Sequence, residues 1–349
     1  MAQYSYLSTP NAEIAAALAK LPSPEDITGR DPAIIKANFL TVVAASNEMK
    51  KKLVTLPPDN ELRVAERKIP VEDGEIRVLT YIPTPNSRDS TTEPFPLFIW
   101  LHGGGWTIGA PEMDDFILRR VCVELKISIV NVEYRTAPEF PFPIPINDCY
   151  DAVKWVISNA SELNASPKKG LILGGSSAGG NMTAAIALRA RDDPFFNKAE
   201  GKCITGQFLQ FPSTIHPDVI PAEYKSELLS LKQHEYGPVI TLKEIYAYLN
   251  FYKPDPLSPL FSPLLAPSHK GLAPAYLQIC GQDPLRDEGL LYEKVLNKDG
   301  VMTKHELYPG YPHGGNLVLP EVRMTKIFED DFIEGVSWLL QNGHSDVAE

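Results

Sequence analysis

Ser177 is the residue of this sequence best placed for covalent chemistry. Residues 171–182 read LILGGSSAGGNM, and the pattern G-x-S-x-G fits them once, as Gly175-Ser176-Ser177-Ala178-Gly179. The register centred on Ser176 fails, because it would need a glycine where Ala178 stands. The glycines have a steric reason. A strand that turns sharply into a helix holds the serine at its tip in a strained conformation, and side chains two residues to either side would clash. The N-terminus of the following helix then points at the site and favours a developing negative charge. A second segment could receive that charge. Residues 97–110 read LFIWLHGGGWTIGA, an apolar strand running straight into His-Gly-Gly-Gly-Trp. Successive glycines let the backbone approach a substrate oxygen and aim N–H groups at it. Together the two segments point to acyl transfer.

A serine nucleophile needs a base, and the base an orienting acid. In scaffolds with this elbow the chain order is serine, acid, histidine. The histidines after Ser177 are His216, His234, His269, His305, His313 and His344. The first three fall in an irregular interval, His305 in an alternating strand pattern, where it reads as a surface residue, and His344 in the tail. His313 lies in YPGYPHGGN, a Gly/Pro loop just past the last strand, where a base is expected. The acid is expected at the tip of the preceding strand. AYLQIC ends at Cys280 and Gly281-Gln282-Asp283-Pro284 follows, which selects Asp283. Asp287 and Glu288 stand where a helix begins and read as first-turn carboxylates favoured by the helix dipole.

These residues need a scaffold, and the periodicity supplies one. Residues 11–21 and 32–53 carry apolar residues at helical spacing, separated by Pro22 and Pro24. Residues 62–70 and 75–82 alternate as strands joined by Glu72-Asp73-Gly74, a hairpin signal. After a polar loop at 86–94 the chain alternates: strands at 97–101, 127–132, 171–173, 203–211, 275–280 and 302–308, helices at 112–126, 146–160, 178–191, 286–298 and 321–341. This predicts an α/β architecture, a mostly parallel twisted sheet with helices on both faces and antiparallel strands at one edge. The interval 212–273 breaks the rhythm. It holds nine prolines, several aromatics and a helical stretch at 241–252. A connection of that length is usually functional, and it reads as a helical cap over the site, joined by the N-terminal helices. The expected organisation is therefore 1–61 as N-terminal helices forming part of the cap, 62–211 as the first part of the core, 212–273 as the cap insertion and 274–349 as the second part of the core.

Composition narrows the function classes. The net charge of −11 argues against nucleic acid and anionic membranes, which need clustered Lys and Arg. The four cysteines, Cys122, Cys149, Cys203 and Cys280, form no CxxC pair and no zinc spacing. They read as buried free thiols of a reducing compartment. The segment MAQYSYLSTPNAEIAAALAKL has no basic region ahead of a long apolar core, so a signal peptide is not expected. The C-terminal GHSDVAE carries no peroxisomal or retention address, and the longest uncharged stretch, 170–188, reads as strand, turn and helix. A cytoplasmic protein with no membrane span, no metal and no cofactor is expected. With acyl transfer as the indicated chemistry, a small-molecule ester is the expected partner, with a homodimer left open.

Six segments resemble the hormone-sensitive lipase family of α/β-hydrolases: HGGGW at 102–106, YRTAPEFPFP at 134–143, DCYDAVKW at 148–155, GGSSAGG at 174–180, SPL at 262–264 and GQDPLRDEG at 281–289. The resemblance runs from about residue 62 onward. It implies the α/β-hydrolase fold and a capped serine esterase, a carboxylesterase with the catalytic triad Ser177, Asp283 and His313. It further implies an oxyanion hole from the amides of Gly104, Gly105 and Ala178, with Gly103 making the turn. Two positions depart from the family: Ser176 stands where Asp is usual, and Gly315 follows His313-Gly314 where an aromatic is usual. Both bear on the shape of the pocket. Ser176 and Trp106 are the expected substrate-binding residues. His102 reads as fixing its loop by hydrogen bonding, and Arg135 with Asp148 as a structural ion pair. The aromatics Phe140, Phe142, Tyr246, Tyr248, Phe251 and Tyr252 suit either packing or a substrate tunnel. The carboxylates at 329–331 and 334 read as a solvated helix face. Two alternatives share the scaffold: a lyase or cyclase using the same oxyanion hole, and a small-molecule receptor. Gibberellin receptors, which resemble the family, lack the histidine retained here as His313.

Overall fold

Short apolar strands such as LFIWL are buried on both faces, so each must be covered by helices on either side. The computed structural model, which describes residues 4–22, 26–85 and 93–343, shows this arrangement. Pro24, most of the 86–94 loop and His344 lie outside the described residues. The strands are β1 (Leu62–Val71), β2 (Gly74–Pro83), β3 (Leu97–Leu101), β4 (Ser128–Glu133), β5 (Leu171–Ser176), β6 (Gly206–Gln210), β7 (Ala275–Gln282) and β8 (Thr303–Pro312). The helices are α1 (Ala12–Leu18), α2 (Pro32–Leu53), α3 (Asp115–Leu125), α4 (Ile144–Ser158), α5 (Ala178–Asp192), α6 (Ser230–Gln233), α7 (Leu242–Tyr252), α8 (Arg286–Lys298), α9 (Gly315–Val318) and α10 (Arg323–Asn342). The eight strands form one sheet in the order β1-β2-β4-β3-β5-β6-β7-β8. The β1–β2 hairpin joins β4 antiparallel, and from β4 to β8 all pairings are parallel. This is the α/β-hydrolase fold.

The alternation of β3 sorts its neighbours. Leu97, Ile99 and Leu101 face α4 and α5, packing with Val153, Val156, Met182 and Ile186. Phe98 and Trp100 face the other way, against Leu118 and Val121 of α3 and Phe332 and Val336 of α10. Each such side chain, fully withdrawn from water, contributes roughly 1.5–3 kcal/mol. Helix α8 covers the far end through Leu291, Tyr292 and Leu296, on the α5 face of the sheet.

Boundaries differ from expectation where pairing continues past the apolar run. Strand β8 extends to Pro312, because its pairing with β7 resumes after an irregularity between Cys280 and Gln282. It thereby delivers His313 directly. Asp287 and Glu288 stand in the first turn of α8, as expected, and one reading of a charged residue, that of Glu329, is corrected. Asp287 and Glu288 are 3% and 1% exposed, because backbone amides of the 212–273 interval bond to them: Leu229 N and Ser230 N donate to Asp287, Thr214 N and Ile215 N to Glu288. Glu329 is not solvated but buried under α2, in an ion pair with Lys50 at 3.1 Å. His305 is half-buried and pairs with Glu293 at 2.7 Å.

The segment Ser5–Ser8 runs along β7 and β8. Ser8 Oγ accepts from Arg286 Nη1 at 2.9 Å and Gln233 Nε2 at 2.8 Å, and pairs with His234 Nε2 at 3.0 Å. A side chain on Gly281 or Gly310 would collide with the backbone of Leu7 or Pro10, so this close approach requires both glycines.

Candidate active site

The site is built on the turn from β5 to α5. Ser177 sits between them at φ 52°, ψ −112°, a conformation that costs a non-glycine residue of order 1–3 kcal/mol. Backbone bonds hold it there: Ser177 N donates to Gln210 O at 2.8 Å and Asn181 N to Ser177 O at 2.9 Å. A Cβ on Gly179 would lie 1.9 Å from Leu101 O and one on Gly175 2.4 Å from the Gly179 carbonyl carbon. The two glycines of the motif are thus forced by the crossing of α5 over the end of β3.

Two further strand ends bring their residues to Ser177. His313, first after β8, has Nε2 2.9 Å from Ser177 Oγ and Nδ1 2.8 Å from Asp283 Oδ2. With the proton on Nδ1 the imidazole donates to the carboxylate and accepts from the hydroxyl. Asp283, first after β7, is wholly buried, and its Oδ1 accepts from Leu285 N at 2.8 Å. Phe211 packs against the His313 ring at 4.6 Å. Asp287 is turned away: its Oδ1 accepts from Arg286 Nε at 2.8 Å and its Oδ2 from the amides of Leu229 and Ser230. The structure brings Ser177, His313 and Asp283 into one hydrogen-bonded line.

The glycine loop after β3 faces the same point. Its turn falls at Gly104 (φ 115°) and Gly105 (φ 56°), not at Gly103, whose φ is not positive; Gly103 is small because a Cβ there would lie 2.9 Å from Ser176 Oγ. Thr107 N and Ile108 N both donate to Gly104 O. Among the described residues no acceptor takes the amides of Gly104, Gly105 or Ala178, which leaves them available to an oxygen beside Ser177. His102 is buried, and burial lowers its pKa to about 4, so it is neutral. Its Nδ1 donates to Gly103 O at 2.7 Å, and the Tyr134 ring stacks on it while donating to His102 O. Arg135 beside Tyr134 binds the buried Asp148 at 2.6 Å.

Around these groups lies a cavity of about 270 Å³. Phe39 and Val42 of α2, Ile240 and Tyr248 from the 212–273 interval and Leu317 of α9 form much of its apolar wall; Ser176, Gln210, Asp114 and Asn316 add polar groups. Trp106, expected against substrate, is outside this lining. It lies parallel to Tyr252, 5.0 Å away, and 5.1 Å from Phe261, so it supports the loop from behind. Asp114 and Asn316 were not singled out by the sequence. The Asp114-Asp115 pair reads as an ordinary helix start, and only the tertiary fold shows that the first aspartate opens inward. A larger groove of about 490 Å³ between α2 and the β2–β4 edge lacks these residues and is lined by charges such as Arg77 and Glu133, which pair with each other at 2.5 Å. Among the described residues no cluster of three His, Cys, Asp or Glu could hold a metal, and no helix is long and apolar enough to cross a membrane.

The family model described as the alpha/beta hydrolase fold matches residues 98–316, and the chain belongs to that family, in its hormone-sensitive lipase-like branch. The chain is 36% identical over 329 residues to an AB hydrolase superfamily protein of Schizosaccharomyces pombe, covering 92% of this chain and 94% of that one. It is 34% identical to the versiconal hemiacetal acetate esterase of Dothistroma septosporum over 71% of this chain and 74% of the relative. Among solved structures it is similar to vibralactone cyclase, with a TM-score of 0.90 and 40% identity over 97% of each chain.

Proposed function

We propose that this protein is a serine carboxylesterase acting on small, soluble esters with short- to medium-chain acyl groups. The observation that carries the reading is the hydrogen-bonded line from Asp283 through His313 to Ser177, at 2.8 and 2.9 Å. In this mechanism Ser177 Oγ attacks the ester carbonyl while His313 Nε2 takes its proton. Asp283 keeps the imidazole in the required tautomer and stabilises the imidazolium. The amides of Gly104, Gly105 and Ala178 bind the oxyanion. His313 returns the proton to the leaving alcohol, and water, activated by the same histidine, releases the acid. Helix α7, the rest of 212–273 and α2 act as a cap that bounds the pocket. Four free thiols suit a reducing compartment such as the cytoplasm.

The test is covalent. A fluorophosphonate should label Ser177 stoichiometrically and abolish hydrolysis of p-nitrophenyl butyrate. An adduct mapped to Ser176, or none, overturns the assignment.

The likeness to vibralactone cyclase favours a second reading, in which a hydroxyl of the same substrate, rather than water, captures the acyl group and closes a lactone. Both readings use the same acyl-enzyme. Product analysis on a hydroxy-ester separates them: a lactone supports the cyclase, a hydroxy acid the esterase.

A further inference from the structure

Helix α2 turns one face to the body of the protein along its whole length, and that face changes character. Ile35, Phe39 and Val43 make the first part apolar; Ser46 and Lys50, at the same helical spacing, make the second part polar and are only 5% and 4% exposed. Ser46 Oγ has no partner among the described residues. Asn47 beside it donates to Glu112 O at 3.0 Å, and its own Oδ1 is unpartnered. Two residues beyond Glu112 stands Asp114, 5% exposed, under the influence of Lys50 and Glu329. Trp100 Nε1 donates to Asp114 Oδ2 at 2.7 Å, and among the described residues no donor reaches Oδ1. Asp114 is also part of the wall of the cavity that contains Ser177. The catalytic cavity therefore carries one buried carboxyl, Asp114, in a wall to which α2 contributes Phe39 and Val42.

A buried carboxyl is a costly way to satisfy one indole N–H. A neutral amide would accept the same bond without the desolvation of a charge, which here raises the acid's pKa to about 6. Asp114 lines the cavity beside Ser177, and its second oxygen takes no hydrogen bond among the described residues. We propose that Asp114 is a specificity-determining residue whose Oδ1 accepts a hydrogen bond from a hydroxyl on the arm of the ester that occupies the cavity beneath α2. The proposal rests on the esterase reading of Ser177. A hydroxyl suits Asp114 better than an ammonium, because the Lys50 cation already acts on the same carboxylate and the cavity's other carboxyl, Glu244, is engaged by Thr241 N and Oγ1.

The test compares matched esters in which a terminal methyl is exchanged for hydroxyl, one pair varied in the acyl arm and one in the alcohol arm. The readout is the ratio of kcat/KM for the hydroxylated ester to that for the plain one. In one arm the wild type should favour the hydroxylated ester by about tenfold or more, the discrimination expected of a hydrogen bond to a charged group. Asp114→Leu should bring that ratio to one or below, and Asp114→Asn, which keeps an acceptor, should retain part of it. If Asp114→Leu misfolds because it strands the indole N–H, Trp100→Phe/Asp114→Leu removes donor and acceptor together. A wild-type ratio near one in both arms overturns the proposal. So does a ratio that Asp114→Leu leaves unchanged, or a stronger preference for an ammonium-bearing analogue. Failure of the esterase reading shows separately, as ester turnover that is absent or survives Ser177→Ala. In that event the matched pair is made as methyl ketones and titrated calorimetrically into wild type and Asp114→Leu, and the ratio of dissociation constants decides the proposal by the same criteria.

Discussion

At the scale of single residues, the strained backbone of Ser177 and the line to His313 and Asp283 predict how variants behave. Ser177→Ala and His313→Ala should each lower kcat by roughly 10⁴ or more, with little added loss in the double variant, because residues that act as a unit are not additive. Asp283→Asn should cost about 10⁴ through the wrong tautomer, whereas Asp287→Asn should act on stability. Steady-state kinetics on p-nitrophenyl butyrate decide this, and the opposite order for the two aspartates would exchange their roles. Glu288 carries a second prediction. Burial raises its carboxyl from an ordinary 4.5 to about 8, although three donors, Thr214 N, Ile215 N and Ser213 Oγ, converge on one oxygen. A carboxyl raised in the folded state gives stability that is complete below its unfolded value and is lost as pH climbs through the folded one. Glu288→Gln should therefore become progressively more stable relative to wild type between about pH 5 and pH 9, as read by melting temperature. A constant difference across that range would mean that Glu288 is ionised throughout. The hydrogen-bonded line of Ser177, His313 and Asp283 was legible in the sequence because its neighbours are glycines and strand ends, local features with local causes. Asp114 and Glu288 were not legible, because their burial depends on elements far away in the chain.

At the scale of elements, α2 shows what periodicity can and cannot convey. Its helical spacing was evident, and so was its separateness from the sheet. The burial of Lys50 was not, because a Lys-rich C-terminal turn reads as solvated and favoured by the helix dipole. In the structure Lys50 tethers α2 to α10 through Glu329, with side chains 5% and 9% exposed. Removing one partner of a buried pair strands the other. Lys50→Ala should cost about 3–5 kcal/mol, softened where Arg120, 3.8 Å from Glu329, takes over part of the charge. Lys50→Met/Glu329→Leu should recover most of the loss. Urea denaturation of the three variants measures both effects, and an equally unstable double variant would show that the pair's geometry, not its charge, holds the helix. Strand β8 teaches a related lesson. Its alternation fades at Tyr308, yet pairing with β7 carries it on to Pro312.

At the scale of the molecule, the size of the cavity bears on the proposed substrate. A cavity of about 270 Å³ lies near the lower limit of ligand pockets, about 300–1,000 Å³, and Tyr248 in its wall packs so closely on the glycine loop that a Cβ on Gly105 would meet its ring at 2.5 Å. Across p-nitrophenyl esters kcat/KM should peak at short to medium acyl chains and fall for long ones, and long-chain triglycerides should be poor substrates. A rate rising to long chains, with activation at an oil–water interface, would show that α2 and α7 open as a lid.

The Ser5–Ser8 segment bears on the order in which this chain can become active. Its Ser8 hydroxyl is bound by Arg286, 278 positions later in the sequence, and the segment lies against the strands that carry Asp283 and His313. Late docking is expected of this segment, since the entropy of closing so long a loop must be met before its contacts stabilise anything. On a ribosome the Ser5–Ser8 segment cannot make these contacts until β7, β8 and Arg286 have emerged, and in refolding from denaturant the same closure should be among the last steps. Ester hydrolysis should thus return more slowly than the far-ultraviolet dichroism of the sheet and helices. Ser8→Ala should widen that lag more than it lowers the final activity. Equal rates for the two signals would mean that the segment docks as early as the sheet forms.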